Sequence, residues 1–284
     1  MQKINIFHRT LYRFSKPVQL KPHKLYLRPR DGHDVRISSS ILSIKPHAEL
    51  NWFRDELGNS VAVATFDERS DSLQITSELL VEQYQLQSNY QRIPDLLMNK
   101  PICYSDAEKL ALQPYLLFGQ PDDGELQSWL AHRDNLAGSR SISVLEPLCA
   151  IIGMETQYQV RDEQGVQSIS KTLQLGSGSC RDLAWFFMCA VRELGFAARF
   201  VSGYLINSLN HPGKGATHAW AEVYLPGAGW VGFDPTTKSM TSAKHIAVAS
   251  ALAPDSIPPV SGSYMAESEV TSEMEVIVKV DLAS

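Results

Sequence analysis

Cys180 stands where a loop of small residues, Gly176-Ser177-Gly178-Ser179, runs into an apolar-periodic stretch of Leu183, Ala184, Phe187, Ala190, Val191 and Leu194 that Gly195 should close. This spacing predicts a helix with the thiol in its first turn. Unpaired N–H groups and the positive end of the helix dipole favour a thiolate there, the form in which cysteine attacks carbonyls. Taken alone, Cys180 also reads as one more buried thiol. A nucleophile needs a base, and Thr217 to Leu225 alternates as a strand with His218 near its start. The turn Pro226-Gly227-Ala228-Gly229 then leads into Trp230 to Asp234, so His218 and Asp234 lie on the two arms of one hairpin. Cys, His and Asp in this order fit nucleophile, general base and orienting carboxylate. His211 is a competing base, but the turn-rich loop of 207–215 holds it less firmly than a strand holds His218.

Gly178-Ser179-Cys180-Arg181-Asp182, Arg199-Phe200-Val201-Ser202-Gly203-Tyr204, His218-Ala219-Trp220 and Trp230-Val231-Gly232-Phe233-Asp234-Pro235-Thr236 together resemble the transglutaminase-like cysteine enzymes. Leu27-Arg28-Pro29-Arg30 and Pro258-Pro259-Val260 are similar to elements of the bacterial branch of that superfamily, which carries a β-rich N-terminal region. The resemblance implies an α+β fold: an N-terminal antiparallel β-sandwich-like domain followed by a papain-like, transglutaminase-like catalytic domain. It also implies a peptide or protein substrate, whose amide carbonyl Cys180 attacks to give a thioester. Hydrolysis is the favoured second step, because no acidic cluster near these blocks would gather a lysine ammonium. The alternatives are a transglutaminase-type amine acyltransferase and a catalytically silent binding module. Animal members of the superfamily depend on calcium, but no run here has EF-hand-like acidic spacing, and neither metal nor cofactor is expected.

The oxyanion needs at least two donors, one of them the Cys180 N–H; for the second, Tyr158, Gln157 and Gln174 are candidates. Trp220 follows His218 by two residues and so shares its strand face, where it either shields the ion pair or simply packs. Asp182 reads as structural and outward-facing, since its charge would oppose a thiolate if it faced the sulfur.

The elements that must hold these groups follow from periodicity. Loose alternation over residues 3 to 15 and strand-like runs at Leu25 to Arg28, Val35 to Ile44, Leu50 to Arg54, Val61 to Phe66 and Leu73 to Leu86 give a β-domain over residues 1–95, with a turn at Asp55-Glu56-Leu57-Gly58-Asn59. Residues 96–245 form the catalytic domain, with helices expected after the Ser105 to Glu108 capping box, at Leu126 to Leu130, and after a Ser143 to Glu146 pair. Short strands are expected at Gln157 to Val160 and Ala197 to Leu205. Residues 246–284 read as a connector rich in Ala, Ser and Pro over 247–262, followed by a final strand from Glu275 to Val280.

A chain of 284 residues, 44% hydrophobic, can bury a large core divided over two domains. Its formal charge of −5, with both signs interspersed and no basic run, argues against nucleic acid or an anionic membrane as a partner. No stretch reaches the length of a membrane span and the first residues lack an apolar signal core, so a cytoplasmic protein is expected. Cys103, Cys149, Cys180 and Cys189 show no C-x-x-C spacing, which argues against a zinc or dithiol site. Oligomeric state is not encoded in any of these patterns.

Overall fold

The early alternation extends into one nineteen-residue strand, β1 (Gln2–Leu20), with a register shift between Arg13 and Val18. The computed structural model describes residues 1–84, 93, 98–117, 124–133, 136, 139–161, 163–206 and 216–283. β2 (His23–Arg28), β3 (Val35–Lys45), β4 (Glu49–Arg54), β5 (Ser60–Thr65) and β6 (Arg69–Gln83) follow, joined between β4 and β5 by the expected turn. In that turn Asp55 Oδ1 accepts the N–H groups of Leu57 and Asn59 at 3.0 and 2.8 Å, and Gly58 takes the left-handed conformation at φ 75°. β1, β6 and β3 make one antiparallel sheet, while β2, β5 and β4 make another. Phe14, Val18 and Leu20 of β1 pack with Leu25, Leu27, Ala62, Ala64 and Ile75 between the two sheets, which is the predicted sandwich.

The helical part opens with α1 (Asp106–Leu117), where the Glu108 carboxylate accepts from the Ser105 N–H and hydroxyl, both at 2.8 Å. α2 (Glu125–Ala131) and α3 (Leu145–Glu155) come next. The Ser143 to Glu146 pair does not cap α3. Ser143 lies inside a 3₁₀ turn over Ile142–Val144, its hydroxyl is shared with Ser141 at 2.9 Å, and Val144 occupies the N-cap. The short strand β7 (Gln157–Tyr158) and the helix α4 (Ile169–Leu175) precede β8 (Ser177–Gly178) and α5 (Cys180–Glu193). α4 is an addition to the expected elements. Its seven residues are too few for a periodic signal, although Ser168 caps it by accepting the Lys171 N–H at 3.1 Å.

α5 is buried at every position from Asp182 to Arg192, not only along its predicted face. The cause is its place between helices and a five-stranded sheet of β9 (Ala198–Leu205), β10 (Ala216–Leu225), β11 (Gly229–Asp234), β12 (Ser239–Met240) and β13 (His245–Ala251), in the order β12-β11-β10-β9-β13. Gly195, at φ 87°, ends the helix as expected.

β13 corrects the reading of 247–262 as a connector. Ala247, Ala249, Ser250 and Ala251 pair with β9, and Val248 to Ala251 are buried, because small residues suit a strand wedged against another backbone. The remainder returns to the N-terminal sheets: β14 (Val260–Ser261) pairs with β2, and β15 (Tyr264–Met265) and β16 (Ser272–Leu282) pair with β1. The expected boundary at residue 95 lies outside the described residues. The main hydrophobic core disregards it in any case: Ile4 and Ile6 of β1, Leu79 and Val81 of β6 and Val280 of β16 join α5 and the five-stranded sheet in one cluster.

Candidate active site

The nucleophile's setting is assembled within about twenty residues of chain. α4 ends at Gly176, which is left-handed at φ 58°, and β8 then pairs in parallel with β7, setting Tyr158 opposite Gly178. Ser179 and Asp182 close a capping box at the start of α5: Asp182 Oδ2 accepts from the Ser179 N–H at 2.7 Å and its hydroxyl at 2.8 Å. The Asp182 side chain is buried inward and not outward as expected, because the same carboxylate also accepts the Gln167 N–H at 2.7 Å and two bonds from Arg161 Nη1 at 2.7 and 2.9 Å. Burial opposes its charge, but these N–H groups, the hydroxyl and the guanidinium outweigh it and hold the carboxyl below its ordinary range. Arg181 adds bonds to the carbonyls of Arg161 and Glu163, tying the preceding loop to the helix start. Cys180 itself is half-buried at the first position of α5.

The base is set on a sheet. β10 pairs with β11 so that Ala221 faces Phe233, which puts Asp234 on the same face as Trp220 and diagonal to His218. His218 Nε2 donates to Asp234 Oδ2 at 2.8 Å, and Cys180 lies close enough to the ring to act on its charge. Desolvation works against an imidazolium here. The Asp234 charge and hydrogen bond, followed by the bond and charge of Cys180, overcome it and raise the His218 pKa to about 10. Asp234 is fully buried, and its carboxyl is held far below the usual range: burial opposes the charge, but His218 and then His245 outweigh it. Thr236 N–H also donates to Asp234 Oδ1 at 2.9 Å.

Of the three residues read from the sequence as a triad, His218 and Asp234 are in direct contact, and Cys180 is among the groups acting on His218. Trp220 stacks beside His218, with ring centroids 6.4 Å apart and planes 30° from parallel, in the place expected of it. Gly203 makes room, since a Cβ there would meet the Trp220 ring at 2.7 Å. Tyr158, on β7, pairs with Gly178, two residues before Cys180. Gln167, one residue before the cap of α4, spends its side chain on the Ser177 carbonyl at 2.9 Å, which braces the glycine loop. His211 lies outside the described residues.

Sequence reasoning missed His245. Its Nε2 bonds the same Asp234 Oδ2 at 3.0 Å, eleven residues beyond the carboxylate, and no spacing rule points to it. Among the described residues, the ligand atoms of His218, Asp234 and His245 lie within 4.8 Å of one another, the geometry a metal ion could use. The hydrogen bonds already account for the cluster, because both imidazoles meet the one acceptor-only carboxylate. Cys149 and Cys189 are buried, as expected of core thiols; burial first and the nearby Asp234 charge second push the Cys149 thiol up, out of reactive range.

Residues 4–82 match the bacterial transglutaminase-like N-terminal region, and residues 147–235 match the transglutaminase-like superfamily. An uncharacterized protein of Mycobacterium tuberculosis is 27% identical across 98% of this chain and 92% of its own length, and one of Mycobacterium leprae is 23% identical across 99% of each. A solved structure of a candidate cysteine protease from Cytophaga hutchinsonii covers 100% of this chain and 91% of its own, with a TM-score of 0.77 at 19% identity. That likeness establishes a shared fold.

Proposed function

Because the chain joins a bacterial transglutaminase-like N-terminal region to a core of the transglutaminase-like superfamily, we propose that it is a cysteine-nucleophile enzyme acting on amide acyl groups. The observation that supports the reading is the buried His218, hydrogen-bonded to the fully buried Asp234 at 2.8 Å and near enough to Cys180 to feel its charge. Cys180 attacks the amide carbon as a thiolate. His218, holding the proton as an imidazolium, passes it to the leaving nitrogen, so the C–N bond breaks as amine or ammonia departs and a thioester remains on Cys180. His218, now neutral, takes a proton from the incoming water, whose oxygen expels the thiolate. Asp234 keeps the imidazole in the tautomer this requires and balances its charge. The position of Cys180 in the first turn of α5 supports its N–H as one oxyanion donor, with Tyr158 as the candidate for another.

Hydrolysis of a peptide or protein amide is the favoured outcome, with transfer to a primary amine as the second reading, since the superfamily supports both. Cys103, Cys149, Cys180 and Cys189 form no disulfide among the described residues, which supports a reducing compartment such as the cytoplasm. Among the described residues no helix is long and apolar enough to cross a membrane. Incubation with glutamine-containing peptides and excess primary amine, followed by mass spectrometry, separates the readings: cleaved or deamidated peptides support hydrolysis, amine adducts make the protein a transferase, and either product from Cys180→Ala overturns the assignment of the nucleophile.

A further inference from the structure

His245 reaches the site because of how the chain crosses the sheet. β12 lies at one edge and β13 at the other, so residues 241–244 pass across the end of the sheet and deliver His245, the first residue of β13, over the Asp234 carboxylate. The ring's tautomer is fixed. Ser242 N–H donates to His245 Nδ1 at 3.1 Å, so Nδ1 is the bare nitrogen and the proton resides on Nε2, pointing at Asp234 Oδ2. Trp220 closes the remaining side, its ring edge-on to His245 at 5.2 Å and 80° while it stacks on His218. The carboxylate is thus gripped at Oδ2 by two imidazole N–H groups at 2.8 and 3.0 Å and at Oδ1 by Thr236 N–H at 2.9 Å.

We propose that His245 is a positioning residue for the Cys180–His218 pair: as a neutral donor it locks the plane of the Asp234 carboxylate so that Oδ2 meets His218. Without it, Oδ2 would be held by His218 alone and the plane of the carboxylate only by the Thr236 N–H on Oδ1, at the moment when the imidazole itself must exchange a proton with Cys180 and substrate. A neutral donor suits this place better than a cation, because it leaves the carboxylate charge to balance a single imidazolium. The proposal rests on the function proposed above, so its test needs one arm that does not depend on turnover.

The first arm uses p-nitrophenyl acetate as acyl donor and intact-mass detection of acetyl-Cys180. His245→Phe keeps a buried ring without the donor, whereas His245→Gln can place an N–H near the position of Nε2. The expected result is an acetylation rate lower by about tenfold to a hundredfold in His245→Phe, the scale of a misplaced catalytic group, and largely restored in His245→Gln. In an Asp234→Asn background the same His245 changes should have little further effect, because the group they act through is gone. Equal losses in the Phe and Gln variants, or a loss that adds in full to Asp234→Asn, overturns the proposal. The second arm follows the imidazole N–H resonances of protein labelled with ¹⁵N-histidine. The His218 Nε2–H signal should move or broaden in His245→Phe and return in His245→Gln; an unmoved signal in folded His245→Phe overturns the proposal even if no acetylation is seen. Wild type that fails to acetylate Cys180 counts against the proposed function and leaves the His245 question to this second arm.

Discussion

Asp182 and Asp234 are both buried carboxylates gripped by several donors, yet their partners differ in kind. Asp182 is countered by Arg161, a charge that never titrates in the working range, and otherwise by Ser179 and Gln167. Asp234 is countered by His218, whose charge changes with every proton it passes. The same acid serves as an anchor on α5 and, in the proposed function, as the orienting partner of a titrating imidazole on β10. The partner decides which: Asp182 braces the helix start that carries Cys180, while Asp234 orients His218.

The contrast breaks most sharply at the imidazole. His218→Ala should lower acetylation of Cys180 by about 10⁴-fold or more and Asp234→Ala by less, since the carboxylate acts only through the imidazole. Both variants should still unfold cooperatively on heating, which circular dichroism will show. The anchor should fail in the opposite way. Asp182→Ala leaves a guanidinium that is only 12% exposed with Glu163 at 3.4 Å as its remaining acidic partner and removes the N3 half of the α5 capping box, for an expected loss of about 2–3 kcal/mol measured by urea unfolding. Its remaining folded fraction should keep most of its reactivity toward p-nitrophenyl acetate; a hundredfold loss per folded molecule would move Asp182 into the chemistry.

Gly153→Ala probes how the Asp234 turn is seated. A Cβ on α3 would lie 2.0 Å from the Pro235 carbonyl oxygen, backbone against backbone, so a loss of about 1–3 kcal/mol in urea unfolding is expected. The smallest effect should be in pH. His218 has a raised pKa, so its contribution to stability is complete below 6.5 and fades as pH climbs through about 10. Asp182 has a lowered one, so its contribution is complete above the ordinary value of 3.8 and fades as pH falls. Thermal melts across pH should show His218→Gln flattening the alkaline side and Asp182→Asn flattening the acid side, with Asp234 also contributing to the latter.

What could be read from the sequence follows the same division. Cys180 at a helix start and His218 with Asp234 on one hairpin were legible, because a capped helix and a glycine turn are local patterns whose geometry is stereotyped. The inward turn of Asp182 was not. It depends on Arg161 and Gln167, which arrive from a loop with no periodicity of its own. His245 was out of reach for a stronger reason, since only the crossing from one sheet edge to the other brings it to Asp234. The strand that carries it reads as a connector because Ala and Ser have poor strand propensity, which pairing with β9 overrides.

β1 belongs to two hydrophobic clusters at once: Ile4 and Ile6 lie in the core that holds α5, and Phe14, Val18 and Leu20 lie between the sandwich sheets. A strand shared in this way is a splice between two regions that their sequences alone would suggest are separate folding units. Opening the sandwich pulls on the same backbone that walls the catalytic core. Amide protons of β1 on either side of the register shift between Arg13 and Val18 should accordingly exchange with solvent at closely similar, slow rates, and local melting of the N-terminal sheets would disturb the core that holds α5 before full unfolding.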